Sequence, residues 1–401
     1  MTATRRTLWA ILLLALALRA GFGLTRQGLA DSSDEYHWDH LASVFWQEGI
    51  LHPDGGTYRP PLYPLMLAGI YQVCGHRPDL VRLWQALLGT ATCGLLYGIG
   101  RRLGGLRTGL IAAGLGACYP LFVFFTGVLM AETLLVLLTT AALLLALRLE
   151  SAPTPGNAAA LGGILGLAGL CKPVVLVWVP LLLWGWWRRA ALGRGRGMCL
   201  AVALGAMGLV IAPWTLRNSL LTGRLVPISA NAGMNLLIGN EPEAIGIYRQ
   251  GVDYLGMFMQ LTASTTDLVE KERLAIREIG GWILASPWRF ARLALLKLAY
   301  FWSPLVPDES ILRNAISLCS CGPLLVLGLW GTWQLRRRPE AWAVGSLALG
   351  LALVHAIFFA HPRFRLPIDA ALMGPAALML ERGWTRLHKA KPGENPGDPP
   401  G

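Results

Sequence analysis

DEYHWDHLASVFWQEGILHPDGGTYRPPLYP, residues 34–64, comes just after the first long apolar run of the chain, LWAILLLALAL at 8–18. It is acidic, aromatic-rich and polar. It closes with Arg59, Pro60 and Pro61 before Leu-Tyr-Pro opens the next apolar face. A polar stretch so placed lies at a membrane surface, and the rest of the chain follows from that reading.

Working outward, the 401 residues are 54% hydrophobic and only 14% charged, with mean hydropathy +0.49. A soluble domain carries about 25% charged residues, so the fold class is an all-α polytopic membrane protein. The 16 tryptophans suit membrane interfaces, where Trp collects. A net charge of +12 invites a nucleic-acid reading. However, RRLGGLR (101–107), RRAALGRGRG (188–197), RRR (336–338) and RLHKAK (386–391) fall between apolar runs, as cytoplasmic loops do under the positive-inside rule. No nucleic-acid partner is expected. The seven cysteines lie mostly in apolar runs, where a thiol behaves as a small hydrophobe.

Runs near the ~20 residues needed to cross a bilayer, or slightly shorter, fall at 7–24, 79–100, 106–125, 128–149, 157–171, 173–187, 197–214, 313–335, 340–360 and 367–382. About ten spans, starting with Arg5 and Arg6 inside, put every basic cluster and both termini in the cytoplasm. The expected protein is therefore integral and multi-pass in the plasma (inner) membrane. Residues 287–303, PWRFARLALLKLAYFWS, are kept out of the count because they would export RRR at 336–338. Arg289, Arg292 and Lys297 at helical spacing make this stretch an amphipathic interfacial helix instead. The chain then divides into a module at 1–214 with a first outer loop at 25–78, a second outer loop at 215–312, and C-terminal helices at 313–385. A disordered cytoplasmic tail follows at 386–401. Cys171-Lys172-Pro173 breaks two short spans into a tight outward hairpin with Lys172 at its tip. Glu132 is placed one turn into the fourth span.

Outer loops should be poor in cations, yet Arg59, Lys172, Arg217, Arg363 and Arg365 stand there beside apolar surface. Together they point to an anion, which Arg grips bidentately and Lys as a point charge; singly, each could be snorkelling to lipid. Among the acids, Asp34 could act as a general base or cap the helix that follows it, and position alone favours the cap. Glu35, His37, Asp39 and His40 could ligate a divalent cation. Glu132, a carboxyl inside an apolar span, is functional by default. The Gly/Asn stretch 231–240 could offer backbone N–H groups to an anion or be plain turn chemistry.

RPPLYP (59–64), VLMAETL (128–134), APWTLRN (212–218), VPIS-NAGMNLLIGN (226–240), FWSP (301–304) and HPRFRLP (361–367), in that order, resemble the GT-C class of membrane glycosyltransferases. The nearest families by these motifs are the dolichyl-phosphate-mannose–protein mannosyltransferases and the bacterial aminoarabinose transferases. The resemblance implies a polyprenyl-phosphate-linked sugar donor and inverting transfer at the outer membrane face. It makes Asp34 the base and Glu132 the second acid. It implies that Arg59, Arg217 and Arg363 hold the lipid phosphate, with Tyr63, Lys172 and Asn218 beside them. A lipid or glycan acceptor is expected over a protein, since no soluble acceptor-binding module follows the spans. Trp38 stands where many relatives have Tyr; it could stack on a sugar but offers no hydroxyl. The rival readings are a polyprenyl-phosphate-sugar flippase, which would want charges along a transmembrane path, and a scaffold without chemistry.

Overall fold

The computed structural model describes residues 3–26, 28–29, 34–189, 194–305 and 310–389. Its helices are α1 (Ala3–Thr25), α2 (Asp34–Gln47), α3 (Leu62–Cys74), α4 (Pro78–Gly104), α5 (Leu106–Cys118), α6 (Pro120–Thr126), α7 (Glu132–Ser151) and α8 (Pro155–Cys171). They continue as α9 (Trp178–Arg189), α10 (Arg194–Thr222), α11 (Ala232–Asn240), α12 (Tyr254–Leu261), α13 (Leu268–Ala285) and α14 (Pro287–Trp302). The last three are α15 (Ile311–Gln334), α16 (Pro339–Ile357) and α17 (Leu366–Lys389). Short 3₁₀ turns stand at Pro53–Gly55, Pro173–Val177 and Pro362–Arg365. Among the described residues there is no strand, only a single bridge between Ile247 and Ala360.

A helix lies at each of the ten expected stretches, but the count of ten is not what length and hydropathy support. Five helices, α1, α7, α10, α15 and α16, are long and apolar enough to cross a membrane; α5 with α6, bent by 53° at Tyr119-Pro120, would make six. The rest are shorter or carry polar groups. In α4, for example, buried Arg82 and Gln85 hydrogen-bond inside the bundle. Several such helices and their outward-facing apolar residues make this an integral membrane protein. The 390–401 part of the expected tail lies outside the described residues, and α17 runs through its beginning to Lys389.

The core is built by α4, α7 and α17, with α1 and α5 against α4 and α15 along α17. α8 lies on α10 through Gly162 and Gly166. A Cβ at Gly162 would collide with the Ala203 carbonyl, and one at Gly166 would come within 2.9 Å of Val210 Cβ. This small-residue spacing lets two backbones approach where hydrophobic burial gives no drive between helices. The expected hairpin at Lys172 is opened out: α8 packs on α7 and α10, whereas α9 runs along α16. The proline turn between them redirects the chain, and each arm finds a different partner.

Two further expectations are corrected. The helix expected to end at 214 continues to Thr222 through Pro213, because hydropathy drops there before helix geometry does. α14 is amphipathic as read, but Lys297 faces inward with Leu293 and Phe301, while Trp288 and Leu295 point outward. Buried Lys297 donates to Asn240 Oδ1 and to Ile357 O, both at 2.9 Å, so its charge sits at the C-terminal ends of α11 and α16, where a cation is favourable.

Candidate active site

The site is built around a stretch of non-helical backbone. Between α6 and α7, residues 127–131 leave the helix, and bare backbone at membrane depth survives only where its polar groups are bonded internally. Here they are. Gln85 donates to Thr126 O and Val128 O at 3.1 and 2.8 Å, and Arg82 Nε donates to Gly127 O at 3.1 Å. Glu35 Oε1 accepts from Leu129 N at 2.7 Å. Tyr63, fully buried, donates its hydroxyl to Gln85 Oε1 at 2.8 Å and completes the tie. The break makes Glu132 the first residue of α7, not one turn inside it.

Around Glu132 five sequence-expected residues meet in one chain of ion pairs. Lys172 Nζ, at the end of α8, lies 2.6 Å from Glu132 Oε1. Arg363, on the 3₁₀ turn before α17, brings Nε to 3.9 Å from the same oxygen and Nη2 to 3.1 Å from Asp34 Oδ2. Arg59 Nη2 lies 3.1 Å from Asp34 Oδ1. Aromatic rings floor the cations: Arg59 over Trp38 at 4.6 Å, Arg363 and Lys172 over Phe364 at 5.2 and 5.4 Å. Such contacts hold a cation without neutralising it.

Three cations face two carboxylates, so the cluster carries one positive charge over. His361 adds none, because burial and then Arg363 push it down to about 3. Burial disfavours the Asp34 carboxylate, yet Arg363 and then Arg59, with Lys172 behind them, hold it at about 2. The two acids differ in access: the Asp34 side chain is 36% exposed and that of Glu132 2%. Two buried polar atoms here have no hydrogen-bond partner, Arg363 Nε and Glu132 Oε2.

Other expected residues stand elsewhere. Trp38 is buried between Arg59 and Tyr63, with ring centroids 5.5 Å apart in the second contact, so it is not free to stack on a sugar. Tyr63 at 0% exposure has no surface for a donor. Arg217 is buried in the last turns of α10, donating to Ile50 O at 2.8 Å and to Gly56 O, with Trp214 beneath it at 4.5 Å. Asn218 accepts from Arg217 and donates to Val226 O and Ile228 O. Both pin loops to α10, and none of these contacts reaches the acids. Arg365, expected at the mouth, is fully buried. It pairs with Asp369 at 3.0 Å and donates to Phe301 O at 2.7 Å and Ser303 O at 3.0 Å.

The residues considered for a divalent cation do not fit one site. Glu35 is bonded to Leu129 N, and Asp39 accepts from Tyr71 and lies 2.9 Å from His76. His37 and His40 sit on the exposed side of α2. Among the described residues no three His, Cys, Asp or Glu come together to hold a metal. The Gly/Asn stretch forms α11, whose Gly233 N–H donates to the protein's own anion, buried Glu272. Burial raises the Glu272 pKa, and the backbone N–H groups of Gly233 and Met234 oppose that. Residues that sequence reasoning passed over include His361, Phe364 and Gln85; Phe364 could have been found as the aromatic between two arginines in HPRFRLP.

The fold is similar to that of solved oligosaccharyltransferases. It overlays the apo oligosaccharyltransferase of Archaeoglobus fulgidus at TM-score 0.58 and 17% identity, over 96% of this chain and 51% of that one. It overlays oligosaccharyltransferase AglB of the same organism, in complex with an inhibitory peptide and a dolichol-phosphate, at TM-score 0.54 and 15% identity, over 99% and 52%. The chain thus spans about half the length of these structures. ArnT of Cupriavidus metallidurans in the apo state aligns at 17% identity over 95% of this chain and 79% of its own; its TM-score of 0.45 adds no argument. Residues 58–215 match the family model of dolichyl-phosphate-mannose-protein mannosyltransferases. This match bears out the resemblance from RPPLYP to the start of APWTLRN, over less than half of the chain. No protein of curated function matches in sequence.

Proposed function

We propose that the protein is an inverting glycosyltransferase that moves a sugar from a polyprenyl-phosphate-linked donor to a lipid or glycan acceptor at the outer face of the membrane. The observation that carries this reading is the convergence of Asp34, the more exposed acid, with Arg59, Arg363 and Lys172. In this reading Asp34 accepts the proton of the acceptor hydroxyl, whose oxygen attacks the anomeric carbon from the side opposite the phosphate. The polyprenyl phosphate leaves with the electron pair of the broken bond. Its developing charge falls among the three cations, the kind of fixed electrostatic stabilisation that supplies much of an enzyme's rate. Glu132 orients Lys172 and Arg363 toward that phosphate.

The arrangement of the basic clusters supports the outer face. Arg102 reaches Ser151 at the end of α7 at 3.2 Å and Glu340 at the start of α16 at 3.8 Å. The acids and their partners lie at the opposite ends of those helices. With Arg101, Arg102 and Arg336–Arg338 in the cytoplasm by the positive-inside rule, the site faces outward and both termini inward, in the plasma membrane.

The test is lipid mass spectrometry of cells lacking the protein, complemented with wild type or with Asp34→Asn. A polyprenyl-phosphate sugar should accumulate without the protein, clear with wild type, and persist with Asp34→Asn present at normal level. Clearance by Asp34→Asn would end the base assignment. Movement of labelled sugar-lipid across vesicles by both proteins alike would favour a flippase.

A further inference from the structure

We propose that Asp34 is a built-in competitor for the site's own anion: its carboxylate occupies Arg59 and Arg363 until the phosphate of the lipid-linked donor displaces it, and that displacement frees Asp34 to act. The inference rests on the reading above for the identity of the anion and adds to it an order of events, donor first and acceptor second.

The geometry points this way. Each arginine gives Asp34 a single terminal nitrogen, to separate oxygens, both at 3.1 Å. Charge-assisted pairs close to about 2.7–2.9 Å and Arg prefers the two-pronged grip, so both contacts are loose. Lys172 and Glu132, at 2.6 Å with the carboxylate nearly inaccessible, show what a committed pair looks like in this cluster. Arg363 is also incompletely bonded on its inner side, where its buried Nε lies 3.9 Å from Glu132 Oε1 and makes no hydrogen bond. The donor's phosphodiester offers one charge on two non-bridging oxygens in a tetrahedral arrangement, with bridging oxygens beside them, so it can meet both guanidinium groups where the carboxylate is held by one terminal nitrogen of each. The positive charge left over in the cluster stays unmatched while Asp34 is the only occupant, and the incoming phosphate supplies the match. Trp38 and Phe364 keep both arginines in place through the exchange, because the ring contacts do not depend on which anion is held.

Two measurements test this on the full-length protein in lipid nanodiscs. First, Asp34→Asn should bind undecaprenyl phosphate more tightly than wild type, on the order of 5- to 10-fold for a coupling of this kind. The gain should vanish in an Arg59→Met background. Unchanged or weaker binding by folded Asp34→Asn overturns the proposal. Tightening seen also with inorganic phosphate supports it, whereas tightening confined to phosphatidylglycerol vesicles places the competition at bulk lipid and overturns it. Second, carbodiimide-driven coupling of an amine to Asp34 in wild type, read by peptide mass spectrometry, needs no variant. Undecaprenyl phosphate should increase labelling, and protection of Asp34 by the lipid would overturn the proposal. The two readings fail separately: loss of sugar-lipid clearance without tighter binding leaves the transferase standing and removes the competition, and the reverse result does the opposite.

Discussion

Arg363 and Arg365 stand two residues apart on one 3₁₀ turn and serve different ends. Arg365 is fully buried, and its guanidinium is spent on Asp369, Phe301 O, Ser303 O and Cys321 Sγ, while Tyr119 donates to Asp369 at 2.8 Å. This node ties α14, α15, α17 and the α5–α6 bend together. Arg363 is partly exposed, holds Asp34 by one terminal nitrogen, and has an Nε that makes no hydrogen bond. The contrast teaches that in this chain satisfaction, more than charge, separates a structural cation from one held ready for a ligand.

The largest expected effect breaks the comparison directly. Arg365→Met leaves Asp369 as an unpaired buried charge, which costs about 3–5 kcal/mol. Little folded protein should survive detergent extraction, as read by size-exclusion profile. Arg363→Met should extract and elute as wild type yet fail to clear the sugar-lipid; equal behaviour of the two variants would dissolve the distinction. Next, Asp34→Asn should lower the transfer rate by about 10²–10⁴-fold, the range for a lost general base, with the elution profile unchanged. A smaller change sharpens the supporting role of the backbone break. Tyr63→Phe leaves Gln85 Oε1 without its donor and should cost about 1–3 kcal/mol, seen as a lower unfolding temperature with transfer reduced far less than in Asp34→Asn.

The smallest effect concerns pH. Asp34 is held at about 2, below its ordinary value near 3.9, so its ion pairs stabilise the fold fully above the ordinary value. That contribution is lost as pH falls through the folded value. The difference in unfolding temperature between wild type and Asp34→Asn should stay constant from pH 5 to 8 and shrink only below about pH 4.

Hydropathy made the helices legible and motif order the class, and the five residues of the ion chain were all named from sequence. What was not legible depends on contacts between distant carbonyls and side chains. Arg217 and Arg365 looked like mouth cations because a charge beside an apolar run reads as exposed; nothing local announces the carbonyls of Ile50 or Phe301 that receive them. The Gly/Asn stretch looked ready for a foreign anion, yet a carboxylate 39 positions away fills it. The four residues weighed for a metal were grouped by proximity in sequence, whereas α2 turns Glu35 and Asp39 inward and leaves His37 and His40 outside. Glu132 was found, but its position at the helix start follows from Gln85, Arg82 and Glu35 bracing the preceding backbone.

The turn that carries both arginines also behaves as a reading frame. With three residues per 3₁₀ turn, positions two apart point in well-separated directions and positions three apart eclipse. One extra residue beside Phe364 would therefore bring the two guanidinium groups into line. Either the mouth would gain a second arginine and the core lose its anchor, or the reverse. A natural or engineered chain can change either arginine singly and lose one capacity; it cannot lengthen this turn by one residue without losing the separation between them.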